Sequence, residues 1–113
     1  MLDQRRHPRI DVYWNIDMEE GNGAKVRLVA KNVSYGGMYV ECEHPYKPGS
    51  HYWVNFKILC RNGLCKVRAR AEIVHVVFLR GDVGKIGMGI RFVEMDESSS
   101  ECIQTFLSER SAF

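Results

Sequence analysis

Hydrophobic and polar residues alternate along most of the chain, from Ile10 to Val93, and turn residues separate the alternating stretches. A period of two places successive side chains on opposite faces of a β-strand, so the alternation predicts short antiparallel strands with one buried face. The stretches suffice for six strands, and closing six strands into a barrel removes the exposed edges of the sheet. The pattern therefore predicts a mainly β fold, a six-stranded antiparallel β-barrel over residues 10–94.

The apolar rows of these strands form the predicted core. The clearest rows are Met38, Val40 and Cys42; Tyr52, Val54, Phe56 and Ile58; Val67, Ala69, Ala71 and Ile73; and Ile86, Met88, Ile90 and Phe92. Turns are predicted at 20–23, 62–63 and 81–84, where Gly, Asn and Asp readily take the φ angles of tight turns. Beyond Ile73 the strand is apolar on both faces through Phe78, which predicts that this half is covered.

The last part of the chain changes its period. Ser98, with Glu101 three residues later, resembles a capping box at the start of a helix. The apolar residues that follow form one helical stripe, Ile103, Phe106 and Leu107. The pattern predicts one C-terminal α-helix over 98–110, packed over the apolar half of the long strand or over a mouth of the barrel.

The composition is that of one folded domain spanning residues 1–113. Of these residues 45% are hydrophobic, 11% aromatic and 27% charged, and a chain of this size buries a core unaided. The net charge of +2 is too small for bulk binding to nucleic acid or to an acidic membrane, so an anion would be bound locally. No apolar run approaches the ~20 residues of a membrane helix and no secretory signal is recognisable. We therefore expect a cytoplasmic protein without membrane insertion.

The chain has four cysteines, Cys42, Cys60, Cys65 and Cys102. Without a secretory signal, we expect them to be reduced thiols that pack as small hydrophobic side chains. A disulfide between Cys60 and Cys65 is geometrically conceivable, because these residues flank a predicted hairpin turn. No CxxC pair occurs and the four histidines are scattered without ligand spacing, so no metal site is predicted.

A first cluster with binding chemistry precedes the first strand, as Arg5-Arg6-His7-Pro8-Arg9. Arg5 and Arg9 stand in RxxxR spacing, and each guanidinium is a rigid donor fork that grips phosphate oxygens or reads the O6 and N7 edge of guanine. Pro8 biases the preceding backbone toward an extended shape. Because RxxxR is a common spacing, a solvated basic terminus is the alternative, and this cluster alone decides nothing.

A second cluster, Asn32-Val33-Ser34-Tyr35-Gly36-Gly37, lies where one predicted strand turns into the next. The amide of Asn32 both donates and accepts hydrogen bonds, and Ser34 supplies a hydroxyl. The two glycines let the backbone approach a ligand closely. The alternative is an Asx-type or Ser-type turn with no role in binding.

Together the two clusters resemble the PilZ family, whose pattern is RxxxR near the start of the domain and (D/N)xSxxG after it. Arg5 and Arg9 match the first motif, and Asn32, Ser34 and Gly37 match the second. Residues 85–92 also resemble the glycine-rich last strand of the family. The resemblance implies a barrel that binds cyclic di-GMP. The implied ligand-binding residues are Arg5, Arg6, Arg9, Asn32, Ser34, Gly36 and Gly37.

The resemblance further implies a receptor that regulates a downstream protein partner, as a monomer or a ligand-linked dimer, with no cofactor besides the ligand. Motility, exopolysaccharide synthesis and related bacterial outputs are all open. Residues 1–9 are predicted to form a flexible arginine-rich arm that the ligand orders, because three close arginines repel one another and few apolar residues anchor the segment.

The alternative function is an OB-like barrel that binds single-stranded nucleic acid. The aromatic residues available for stacking on bases are Tyr13, Trp14, Tyr39, Tyr52 and Trp53. The small net charge counts against a long phosphate track. Catalysis is not indicated, because Ser34 has no GxSxG elbow and no assignable His and Asp partners. We therefore predict a receptor and not an enzyme.

Overall fold

The computed structural model describes residues 9–79 and 85–111, which form six β-strands and one α-helix. In chain order these elements are β1 (Ile10–Glu19), β2 (Lys25–Val33), β3 (Gly37–Cys42), β4 (His51–Cys60), β5 (Gly63–Phe78), β6 (Ile86–Met95) and α1 (Glu97–Ser111). Neighbouring strands are antiparallel, and the sheet closes into a barrel in the order β1-β2-β3-β6-β5-β4. The predicted six-stranded antiparallel barrel with a C-terminal helix is confirmed.

The core fills the inside of the barrel with the apolar rows that the alternation predicted. At most 1% of the surface is exposed at Val40, Val54, Ile58, Val67 and Met88. Tyr52 and Phe92, at the ends of their rows, are half-buried and pack against the margin of the core. Alternation identifies the interior because each strand of a small barrel has one inward and one outward face.

Two of the predicted turns depend on glycine. Gly23 has a φ of 87° and Gly63 a φ of 114°, in the left-handed region that other side chains disfavour. Gly63 pairs directly with Cys60, so the turn between them joins β4 to β5 as a tight hairpin. The predicted turn at 81–84 lies outside the described residues.

Asp96 caps the start of α1. Its Oδ1 accepts a hydrogen bond from the backbone N–H of Ser99 over 2.7 Å, the usual bond of an N-cap carboxylate to the third helical residue. This bond holds the pKa of Asp96 below its usual value. The capping box predicted at Ser98 is therefore wrong, because the helix begins at Glu97 and its cap precedes that residue.

The helix packs on one mouth of the barrel, one of the two placements expected for its stripe. Phe106 meets Trp14 edge to face at 5.0 Å between ring centroids, and Trp14 stacks on Phe56 at 5.6 Å. Ile103 and Phe106 are buried in the core. Within the described residues, no helix is long and apolar enough to cross a membrane.

The far half of β5 is not covered by the described part of the chain. Val74, Val77 and Phe78 are exposed, and Phe78 reaches 73%. The pairing of β4 with β5 ends at Glu72, and beyond Ile73 the strand pairs with β6. The prediction of burial on both faces is therefore wrong, because this half of β5 is an edge strand in the described structure.

Two cysteines form a disulfide, Cys65 of β5 and Cys102 of α1, whose Cα atoms are 6.3 Å apart. Cys42 and Cys60 are free thiols. The expectation of free thiols is therefore wrong for Cys65 and Cys102, and the conceivable bridge between Cys60 and Cys65 is not formed. The bonded pair is 37 residues apart in sequence, and the packing of α1 on the barrel brings it together.

Candidate functional site

The two sequence clusters meet on the outer surface of the barrel, through Arg9 and Asn32. Arg9 directly precedes β1, and Asn32 near the end of β2 pairs with Asp11 of β1. Nη1 of Arg9 donates a hydrogen bond to Oδ1 of Asn32 over 2.9 Å. Because a guanidinium has five N–H donors, this bond orients Arg9 while using one of them. Arg5 and Arg6 lie outside the described residues, so their place in the site stays a prediction.

Ser34 lies inside the turn between β2 and β3, with 8% of its surface exposed. Its backbone N–H donates to the carbonyl oxygen of Gly37 over 2.9 Å, and its hydroxyl donates to the same oxygen over 3.4 Å. The backbone bond closes the turn, and the long hydroxyl bond adds weakly to it. A Ser-type turn, one of the alternatives for this cluster, requires the side-chain oxygen to accept a hydrogen bond from a backbone N–H two residues on, whereas the hydroxyl of Ser34 donates to a carbonyl oxygen three residues on.

The two glycines of the second cluster fasten the turn to β6. The backbone N–H of Phe92 donates to the carbonyl oxygen of Gly36 over 2.8 Å. A Cβ atom at Gly37 would lie 2.1 Å from the carbonyl oxygen of Ile90. The φ of Gly37 is not in the left-handed region, so the close approach of two backbones requires glycine at this position.

Tyr35 connects the second cluster to α1, a contact that the sequence did not predict. Its hydroxyl lies 3.0 Å from Oγ of Ser100 and accepts a hydrogen bond from Nε2 of Gln104 over 3.2 Å. Hydrogen bonds with Ser100 and then Gln104 lower the pKa of Tyr35. The spacing of four residues between Ser100 and Gln104 marks one polar face of a helix, but nothing local to Tyr35 identifies that face as its partner.

A row of cross-strand partners continues from Asn32 across the outside of the barrel. Asn32 pairs with Tyr39, Tyr39 with Gly89, and Gly89 with His75. A Cβ at Gly89 would lie 2.2 Å from Cε1 of His75, and a Cβ at Gly87 would lie 1.8 Å from the hydroxyl of Tyr39. The glycines of β6 therefore make room for the rings of Tyr39 and His75, which explains the glycine-rich last strand.

Charged side chains border this row. Arg91 of β6 forms an ion pair with Glu72 of β5, and its hydrogen bond holds the pKa of that carboxyl below its usual value. Burial, together with the nearby Glu41, raises the pKa of Tyr39, so its phenol stays neutral near pH 7. Guanidinium, amide and phenol donors thus lie along one face, a set that suits a ligand with phosphate and base oxygens.

The aromatic residues considered for base stacking occupy separate places in the fold. Trp14 packs at the barrel mouth, and Tyr52 is half-buried against the core. The guanidinium of Arg68 covers the ring of Trp53 at 4.1 Å. Tyr13 is 72% exposed. These side chains therefore do not line up as the stacking face that the nucleic-acid alternative requires.

A large cavity lies away from both clusters. It has a volume of about 620 Å³ between β1, β4, β5 and the start of α1, and Asn15, Asn55, Arg68 and Asp96 are among its lining residues. None of the candidate binding residues that the structure describes, from Arg9 to Gly37, lines it. The candidate site is instead an open surface that includes Arg9 and Asn32.

The fold is thus a closed antiparallel β-barrel with a helix packed on one mouth. On its outer surface Arg9 and Asn32 are joined by a hydrogen bond, so the chain is a small β-barrel domain with an external polar site. This chain belongs to the PilZ domain family, whose family model matches residues 3–109. No curated protein matches the chain significantly.

Solved structures share this fold at low sequence identity. The Bacillus subtilis inhibitor of motility (MotI/DgrA) matches with a TM-score of 0.82 and 14% identity over 96% of this chain and 52% of that one. The PilZ domain of YcgR from Escherichia coli, with c-di-GMP, matches with a TM-score of 0.70 and 17% identity over 97% and 95%. The MrkH–c-di-GMP complex of K. pneumonia gives 0.71 and 15% over 96% and 53%. The chain thus spans about half of MotI and MrkH.

Proposed function

We propose that this chain is a receptor domain for cyclic di-GMP and not an enzyme. Membership of the PilZ family supports the proposal, as does the presence of this ligand in the YcgR and MrkH structures that share the fold. The observation that carries it is the hydrogen bond between Arg9 and Asn32, because it unites the two motifs of the family at one place on the surface.

The chemistry of the ligand suits these residues. Cyclic di-GMP carries two phosphates and two guanines, and arginine forks recognise both groups. Arg9 would donate from a guanidinium already oriented by Asn32, with Arg5 and Arg6 beside it in the preceding segment. Ser34 and Gly37 would hold the turn in shape, and Gly36 would let the backbone approach the ligand.

Among its described residues the site offers binding groups and no activated nucleophile, since the hydroxyl of Ser34 donates to the carbonyl oxygen of Gly37. Tyr35 gives this surface a mechanical link to α1 through Ser100 and Gln104. We therefore propose that a ligand at the turn is sensed by α1 and that α1 transmits the change to a protein partner. Motility, exopolysaccharide synthesis or a related output would then be controlled by that partner.

Calorimetric titration with cyclic di-GMP tests the proposal. GTP, cyclic di-AMP and a single-stranded oligonucleotide are titrated separately as control ligands of different chemistry. We expect saturable binding of cyclic di-GMP alone. Binding of the oligonucleotide without cyclic di-GMP would support the nucleic-acid alternative, and absence of binding to all four would leave an adaptor that uses the fold for protein contacts.

A further inference from the structure

Three cysteines from three elements converge at the mouth of the barrel. Cys60 ends β4, Cys65 lies near the start of β5, and Cys102 lies in α1. Their Sγ atoms all lie within 4.8 Å of one another, with 3.9 Å between those of Cys60 and Cys65. Cys42 is not in this group, and its thiol donates to the carbonyl oxygen of His44 over 3.1 Å.

The position of Cys60 beside the disulfide first suggests thiol–disulfide exchange. Such an attack requires the three sulfurs to lie near a straight line. The attacking sulfur of Cys60 lies 3.9 Å from that of Cys65, and the disulfide bond adds about 2 Å. On a straight line the sulfurs of Cys60 and Cys102 would therefore be about 6 Å apart. All three instead lie within 4.8 Å, which makes a compact triangle. A triangle of sulfurs is the arrangement of ligands around one ion.

Thiolate–metal geometry fits this triangle. Thiolates bind Zn²⁺ at about 2.3 Å, which places two sulfurs of a tetrahedral site about 3.8 Å apart. Cys60 and Cys65 already have this separation, at 3.9 Å. Once the disulfide is reduced, the sulfur of Cys102 has to move from that of Cys65 by about 2 Å, which a rotation about its χ1 bond provides.

We propose that the reduced protein binds one thiophilic metal ion, Zn²⁺ or Cu⁺, through Cys60, Cys65 and Cys102. A thiol or phosphine reductant supplies the two electrons that convert the disulfide to two thiols, with uptake of two protons. The ion then displaces the protons of the three thiols and binds the thiolates. Three thiolates suit trigonal Cu⁺ or, with a water as the fourth ligand, tetrahedral Zn²⁺.

The surroundings of the cluster give the ion access and a structural effect. A second cavity, of about 230 Å³, is lined by the three cysteines together with Asn62, Glu101 and Thr105, among others. The same hairpin is tethered to α1 by Glu109, whose carboxylate accepts from the backbone N–H of Arg61 at 3.2 Å. A bound ion would replace the disulfide as the tie between the hairpin and α1.

The test is a titration of the full chain after reduction with a phosphine. Zn²⁺ is titrated in competition with a chromophoric chelator, Cu⁺ is titrated anaerobically in parallel, and Co²⁺ reports thiolate ligation by its charge-transfer absorption. We expect one ion per chain. Cys60→Ser and Cys102→Ser should each weaken binding by more than about 100-fold, beyond the loss typical of a residue that only supports a ligand.

The control is Cys42→Ser, which removes the one cysteine outside the cluster and keeps a hydroxyl donor for His44. It should bind the ion as the wild type does. The Cys60→Ser variant retains both partners of the disulfide, so its fold is checked by circular dichroism in the oxidised form. The proposal is overturned if the reduced wild type takes up neither ion stoichiometrically, or if Cys60→Ser and Cys42→Ser bind equally well.

Discussion

Arg9 is held at the protein surface by a side-chain hydrogen bond, so its substitution separates binding from folding. We predict that Arg9→Ala weakens cyclic di-GMP binding by about 2–5 kcal/mol, the range for removing one partner of a close charged pair. The free energy of unfolding should change by less than about 0.5 kcal/mol, because the side chain is exposed. Calorimetry measures the first quantity and urea denaturation the second.

Arg27→Ala is the matched control for this substitution. Arg27 is also exposed and makes a similar surface contact, to Asp17 at 3.1 Å, but it belongs to neither motif. It should bind cyclic di-GMP as the wild type does. Equal affinities of Arg9→Ala and Arg27→Ala would remove Arg9 from the site.

Gly37 is required for packing of the backbone. We predict that Gly37→Ala lowers the free energy of unfolding by about 1–3 kcal/mol, because its Cβ would overlap the carbonyl oxygen of Ile90, a backbone atom that cannot rotate away. Gly21→Ala serves as the control, since a Cβ there meets nothing within 4 Å. That control should be neutral or stabilising by up to about 1 kcal/mol. Urea denaturation of both variants checks the prediction, and equal stabilities would contradict it.

The sequence could identify the residue types of the site but not all of their roles. Arg9 and Asn32 are both predicted to bind the ligand, but their direct contact, which the β1–β2 register allows, was not predicted. Ser34 is predicted to bind the ligand, and its hydroxyl donates to the carbonyl oxygen of Gly37. Tyr35 was missed, because its partners on α1 are 65 and 69 residues away and no local pattern relates them.

Among the elements, α1 has a cap whose strength depends on pH. The pKa of Asp96 is lowered in the folded state by the hydrogen bond from Ser99, so the cap stabilises the fold above the usual value of 3.8 and is lost as pH falls below it. We predict that Asp96→Ala lowers the urea midpoint at pH 7. The difference from the wild type should shrink as the pH falls below about 3.8.

Asp96→Asn distinguishes the hydrogen bond from the charge. Asn is also a good N-cap residue, so this variant should retain most of the stability at pH 7 while losing the dependence on acid pH. A difference between Asp96→Ala and the wild type that stays constant down to pH 2 would show that ionisation of Asp96 does not contribute to the cap.

Alternation was sufficient to predict the elements because each strand of the barrel turns one face to the core. It failed where long-range packing decides. The far half of β5 is as apolar as a covered strand, yet no described element lies over it. Ser98 and Asp96 are both good capping residues two positions apart, and the end of β6 at Met95 decides between them. Likewise, only the docking of α1 brings Cys102 to Cys65.

On the scale of the whole molecule, the proposed binding surface is connected both to the segment before β1 and to α1. The second motif touches α1 through Tyr35, and Arg9 joins the N-terminal segment to the second motif. Binding at one surface would therefore involve both the segment before β1 and the helix after β6. A ligand that draws these parts together would change what the barrel presents to its partner.

The proposed arm, residues 1–9, lies outside the described residues except for Arg9. Ordering three close arginines against their mutual repulsion requires an anion, and in the proposed function the two phosphates of cyclic di-GMP would supply it. We therefore predict that backbone amides of this segment exchange with solvent more slowly when cyclic di-GMP is bound. Hydrogen exchange with mass-spectrometric detection measures this, with β4 as an internal reference whose protection should not change.

The Arg9→Ala variant separates ordering by the ligand from any indirect effect. At a concentration of cyclic di-GMP that saturates the wild type but not the variant, protection of residues 1–8 should rise in the wild type alone. Equal exchange of the segment with and without ligand in the saturated wild type would mean that the site is already formed before binding. The signal would then have to pass through the contact of Tyr35 with α1, and protection would change there instead.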